Sequence, residues 1–428
     1  MPLIVNLTGG TADTGWITAR GTHGVYLSFV DASGSPADAY IREIGSRQGG
    51  VSISARSLID AQPDLDFAKI GGKDIVLTAT GGGIGPMLIS QYVGGSLEIW
   101  AAGDVSLRNA AGPLNVAGLY AEGNVDLTAY LDLTITGDFT SSGSTTLASV
   151  FGKLDVKDAL MGVSGDATFI AASDIMVSDS DLNIAGIWNV IGNSITMLST
   201  DVAAQETSLT TMGGDLIIEG GSANLGDTHV SSVNNVSISD WYLNVLGTLN
   251  VDSVNDLLVL GSNVKATDTT LNAANGDLTI TGGTFDLANA LLTSGNNVTI
   301  SDVPQFNVGK YFGIKAKNRL TLKHVTGKAE VADFQASGFS LIDWHIFSDE
   351  MWLNGVDIYN DPAFRNSLTS DRIIRVPAVA EEEEEEEDEE EPVLSGYWLS
   401  ANSTNEDLLK TLQDLGTAIL PISESSLK

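Results

Sequence analysis

Residues 214–238 read GDLIIEGGSANLGDTHVSSVNNVSI, and the opening phrase GDLII returns twenty residues later as NNVSI. The phrase is a turn pair followed by apolar-x-apolar. Toward the N-terminus it recurs as NSITM at Asn193, SDIMV at Ser173, GKLDV at Gly152, GNVDL at Gly123 and GDVSL at Gly103. Toward the C-terminus it recurs as NDLLV at Asn255, GDLTI at Gly276, NNVTI at Asn296 and NRLTL at Asn318. One series of first apolar positions runs Ile75, Leu97, Leu114, Leu133, Leu154, Ile175, Ile195, Leu216, Val236, Leu257, Leu278, Val298, Leu320, Leu341. From Leu133 onward its steps are 20 to 22 residues. A second series lies about eight residues ahead: Val105, Val125, Leu147, Ala167, Leu249 and Leu271. Each repeat therefore carries at least two short strands.

Within each phrase the period is two. In GDLTI, Leu278 and Ile280 point inward and Thr279 outward. Turn residues close each strand after three to five positions, and Gly or Asn there suits left-handed corners. A step this short leaves no room for the crossover helix of a doubly wound α/β fold. A propeller blade needs about 40 residues, and a sandwich gives no reason for a fixed step. A parallel coil does, because each turn must stack on the last. The expected fold is all-β, a right-handed parallel β-solenoid of about 20–21 residues per coil. Fourteen coils at about 4.8 Å each make a rod of roughly 65 Å.

Five regions follow. Residues 1–70 hold looser coils and an N-terminal cap, with Arg20, Arg42, Arg47 and Arg56; residues 71–342 are the regular solenoid. Residues 343–380, with Trp344, His345, Phe347, Trp352, Tyr359 and Phe364, are expected to cap the last coil. Residues 381–391 are an acidic linker. Residues 392–428 form a tail with a strand near 392–400 and a short helix opened by Thr404-Asn405-Glu406 and ended by Gly416.

The phrases SLIDAQPDLDFAKIGGKDIVLTATGGGIG (57–85) and GSLEIWAAGDVSLRNAAGPLNVAGLYAEGNVDLTA (95–129) resemble the coils of large bacterial exoproteins of the filamentous haemagglutinin and giant-adhesin type. The resemblance covers roughly residues 20–345 and implies right-handed β-helix coils. It also implies adhesion, surface display or matrix building. The family's N-terminal secretion domain, with its NPNL-type motif, has no counterpart here.

Composition narrows the partners. The chain has 55 acidic and 21 basic residues, net −34, and eleven of the acids form the run Glu381 to Glu391. No Lys or Arg occurs from Leu160 to Val264. Phosphate binding needs clustered cations, so nucleic acid is not expected as a partner. No apolar stretch of 18 residues suggests a span, so no membrane insertion is expected. Cys is absent, which excludes disulfides and Cys-ligated metal. Met1 to Gly10 lacks a basic and an apolar region and is not expected to be a signal peptide.

Candidate chemistry is sparse. Asp179, Asp181 and Asn183 are spaced like the start of a calcium loop, but Ile184 and Val190 stand where Gly and Glu are required. Asp64 and Asp66 share a loop. Calcium at either place competes with an ordinary polar surface, and no cofactor is expected. His23, His229, His324 and His345 form no zinc motif. Gly81 to Gly85 (GGGIG) lacks the Lys and helix of a phosphate loop and reads as a tight corner. Trp100, Trp188, Trp241 and Tyr242 would make a glycan-binding strip if they were exposed in a row.

No catalytic, cofactor-binding or metal residue is assigned, and no enzyme is expected. The expectation is an extracellular or cell-surface bacterial structural rod that self-associates end to end. A strand donated from 392–400 or 3–8 would join the copies. An adhesin binding host or matrix glycans is the alternative, and a polysaccharide lyase or hydrolase stands behind it.

Overall fold

The computed structural model describes Leu3–Asn6 and residues 16–358. The chain divides into two units, Met1–Pro377 and Ala378–Lys428, and all the described residues belong to the first. The expected acidic linker and the tail's strand and helix lie outside the described residues, as does the cap beyond Ile358.

Alternation of apolar and polar residues produces strands, and the absence of any helical spacing leaves them unbroken. The described residues hold no helix. Their parallel strands stack as a β-solenoid of about 15 turns. Each turn lays down three strands, so the rod has three faces.

The inward ladder of the first face runs Leu114, Leu133, Leu154, Ile175, Ile195, Leu216, Val236, Leu257, Leu278, Val298, Leu320. That of the second runs from Ile99 through Leu119, Phe139, Met161 and Leu182 to Phe285 and Phe306. The third begins Val105, Val125, Thr145, Ala167, Trp188, Thr207, Thr228 and ends at Ala290 and Phe312. The three ladders fill one continuous core. Burying each Leu or Ile contributes about 1.5–3 kcal/mol. Near the C-terminal coils the core turns aromatic. Phe285, Phe306 and Phe312 stack at 4.8 and 4.7 Å, and Phe334 meets Phe312 edge-on.

Two sequence readings are corrected. Leu97 pairs with Val116, not Leu114, and stacks on Ile75 and Val51 in the second face. The single series therefore steps from the second face to the first between Leu97 and Leu114. Likewise Leu147 and Leu271 sit two residues past the rungs Thr145 and Thr269. An inward Thr looks in sequence like an outward one.

The corners explain the turn residues. Between the first and second faces the chain uses a left-handed residue in each coil from Leu133 to Leu320. Gly137, Asp158, Asp179, Ser199, Gly220, Asp240, Gly261, Gly282, Asp302 and His324 supply it, with φ between 48° and 78°. Gly, and less readily Asp, tolerates that conformation. Between the third and first faces, side chains satisfy the backbone instead. Asp215 Oδ1 accepts from Asn235 N, Asn235 Oδ1 from Asp256 N, Asp256 Oδ1 from Asp277 N, and Asp277 Oδ1 from Asn297 N. The recurring Gly-Asp and Asn-Asn pairs are thus a hydrogen-bonded ladder, which answers the backbone's need for partners at each turn.

At the C-terminal side, strand continues through Leu353 and ends in a small antiparallel return, Trp352 to Asp357 and Leu353 to Val356.

Candidate functional site

The outward residues of each strand are the surface available for recognition. Trp100 and Tyr120 are neighbours in register on the second face, stacked 5.9 Å apart at 13° and both partly exposed. Their pairing follows from the shared period, which sets equivalent outward residues one above the other. Trp188 instead points inward on the third face, edge-on to Phe169, and Trp241 is buried at a corner. Tyr242 is exposed, seven rungs from Trp100, about 34 Å along the rod. The four aromatics do not form a strip.

Asp179 occupies the left-handed corner, and Asp181 and Asn183 point outward on the second face, with Asp181 stacked on Asp201. Asp64 and Asp66 are exposed in the loop between Asp60 and Ile70. His324 Nδ1 lies 2.8 Å from Asp302 Oδ1, and His345 Nε2 lies 3.3 Å from Asp343 Oδ1. His229 is outward on the third face and His23 is in a turn. Among the described residues no group of three or more His, Asp or Glu is gathered as a metal site. Residues 81–83 of the GGGIG stretch turn a corner, while Ile84 points inward and opens the next strand, followed by Gly85 (φ 94°).

Several features escaped the sequence reading. Lys69 is fully buried. Its Nζ donates to the carbonyls of Gln62 and Leu65, lies 3.6 Å from Asp60 Oδ1 and sits over the Phe67 ring at 3.9 Å. It staples the 60–69 loop from inside. Half-buried Asp126 on the third face has its carboxyl pushed up by burial, against a smaller opposite pull from Arg108. A shallow pocket of about 510 Å³ lies where the first face meets its neighbouring corner, lined by Asn297, Thr299, Asn318, Arg319, Thr321 and Ser337 among others. Arg319 belongs to residues 303–329, which hold six cations and no acid. That stretch is the opposite of the cation-free middle, and it could have been found by reading charge coil by coil.

No family model matches the chain, and no curated protein or solved structure matches it either. No helix among the described residues is long and apolar enough to cross a membrane.

Proposed function

We propose that the chain is an extracellular structural protein, a rod-like subunit of a surface fibre, filament or matrix that joins other copies end to end. One observation carries the reading: three ladders stay in register from the Leu114 coil to the Leu320 coil, so the sequence there is given over to stacking. A parallel stack ends in strands whose backbone groups want partners, and a neighbour's strand supplies them by β-augmentation. The likeness of the coil phrases to giant exoproteins supports the surface location. The role is mechanical rather than catalytic.

Negative-stain electron microscopy of the full chain tests this. Filaments whose lengths are multiples of one rod are expected. Single rods at every concentration would contradict it.

The second reading, a glycan-binding adhesin, rests on the exposed Trp100–Tyr120 pair and the polar pocket at Arg319. Binding on a glycan array that disappears in Trp100→Ala would support it; silence across the array would remove it.

A further inference from the structure

The first face differs from the other two on its outside. Its outward positions in the middle coils hold Met176, Leu198, Ile217, Leu258 and Leu260, spaced by small polar residues such as Thr196 and Ser237. Ile217 is 37% exposed and the other four are half-buried. Over the same coils the outward residues of the second and third faces are mostly Asn, Asp, Ser and Thr. An apolar row on a polar rod marks a contact surface.

Charge frames this row. Residues 158–264 contain thirteen acids and no Lys or Arg. The corner toward the second face carries Asp158, Asp179, Asp181, Asp201, Glu219 and Asp240; the corner toward the third carries Asp174, Asp215, Asp252 and Asp256. Further along, the same face is framed by the opposite sign. Lys315, Lys317 and Arg319 lie on the third-face side, and Lys323 and Lys328 on the second-face side. All five are exposed, and none has an ion-pair partner among the described residues.

We propose that the first face is the contact between two copies of this chain, packed side by side and antiparallel. The centre of the acidic stretch lies five coils, about 24 Å, from the basic coil. A two-fold axis crossing the face midway, beside Leu258 and Leu260, lays each basic coil on its partner's acidic coils, and does so twice. A parallel pairing makes that match once. Ile217, Leu258 and Leu260 of the apolar row become the centre of the contact and the charges its rim. The net charge of −34 opposes association, but it is screened beyond about 8 Å at physiological salt, whereas facing charges in contact are screened less. Six overlapping coils, about 29 Å long and about 20 Å wide, bury roughly 1,200 Å² in total, the lower edge of specific interfaces. The dimer is therefore weak and salt-sensitive. It is lateral, and stands whether or not rods also join end to end.

Sedimentation velocity of the full chain tests it. A monomer–dimer equilibrium is expected, with a dissociation constant rising at least about tenfold between about 50 and about 500 mM NaCl. Lys323→Glu weakens the dimer about tenfold at low salt, and so does Glu219→Lys, the position it faces across the two-fold axis. The two together restore it, which no folding defect can do. Leu258→Lys abolishes the dimer without changing the far-ultraviolet spectrum. A chain that stays monomeric at low salt overturns the proposal, and so does a dimer indifferent to the reversals. Replacing Glu381 to Glu391 by Ser must leave the dimer intact; its loss would mean that the acidic run occupies the basic coil. End-to-end joining through backbone edges does not respond to the reversals, so the two modes separate in one experiment.

Discussion

The coils from Leu133 to Leu292 and those before Ile84 stack the same kind of strand but close their turns by different means. In the middle, successive rungs lie 20 to 22 residues apart, and corners are closed by left-handed Gly or Asp and by the Asp and Asn ladder. Near the N-terminus, Val25, Val51, Ile75 and Leu97 are successive rungs separated by 26, 24 and 22 residues. There ion pairs accompany the extra chain, one across adjacent strands and two at turns. Arg20 pairs with Glu43 at 2.6 Å, Arg56 pairs with Asp38, and Lys69 pins its loop from within. Strands fix which residues stack; corners fix how much chain each turn consumes.

A change in chain length within one coil has the largest expected effect. Deleting Ile218 alone turns every following inward side chain of that strand outward. Deleting residues 216–235 removes one whole coil and rejoins Asp215 to Val236 in register. The single deletion is expected to abolish the cooperative thermal transition, and the twenty-residue deletion to keep it, as in other one-dimensional repeats. Calorimetry of both variants checks this; equal damage would show that the coil is not the structural unit.

Smaller effects separate the two regions. Leu257→Ala, at a fully buried rung, is expected to cost about 3 kcal/mol. Lys69→Met leaves Asp60 and two carbonyls without their partner and is expected to cost about 3 kcal/mol. Hydrogen exchange distinguishes them: the Lys69 variant loses protection around residues 58–91 while residues 133–292 keep theirs. At the left-handed corner, Asp179→Val is expected to cost about 1–2 kcal/mol, and Asp179→Gly about 1 kcal/mol or less in either direction. Denaturant midpoints measure both.

The weakest effects depend on pH. Asp38 is held below the usual carboxylate range chiefly by its hydrogen bond from Arg56. Its contribution is present at neutral pH and disappears as pH falls through the folded value. Asp126 is raised by burial, so the fold favours its protonated form and loses stability as pH rises through that value. Asp38→Asn should flatten the acid side of a melting-temperature profile, and Asp126→Asn should slightly raise melting temperature at neutral pH. Both carboxyls are partly solvated, so each change is small.

The period was legible because every rung of the first face from Leu114 to Leu320 is Leu, Ile or Val. The third face was legible only in part, through its rungs Val105, Val125, Ala167 and Leu249. Its rungs include Thr145, Thr207, Thr228 and Thr269, all buried, with hydroxyls that have no partner among the described atoms. Leaving such a group unpaired costs about 1–3 kcal/mol, so hydroxyls are ordinarily read as outward. Leu147 and Leu271, the next inward residues of the same strands, therefore stand in the sequence series where Thr145 and Thr269 belong. Trp188 and Trp241 are ambiguous in sequence because an indole suits either side of a strand, and both fill the core. The acidic middle was evident from composition, whereas the apolar row on the first face needed the register: Met176, Leu198, Ile217 and Leu258 line up only after the coils are stacked.

The most direct test of that register uses the chain's lack of Cys. Thr196 and Ile217 are neighbouring rungs on the outside of the first face. Parallel neighbours stand about 4.8 Å apart, within disulfide reach, and rungs two coils apart stand about 9.6 Å apart, beyond it. Under air oxidation the pair Thr196→Cys with Ile217→Cys should form an intramolecular disulfide, its two thiols giving up two hydrogen atoms to oxygen and the chain losing their mass, while Thr196→Cys with Ser237→Cys should remain reduced. Equal oxidation of both pairs, or preference for the second, would contradict the coil register on which the whole account stands.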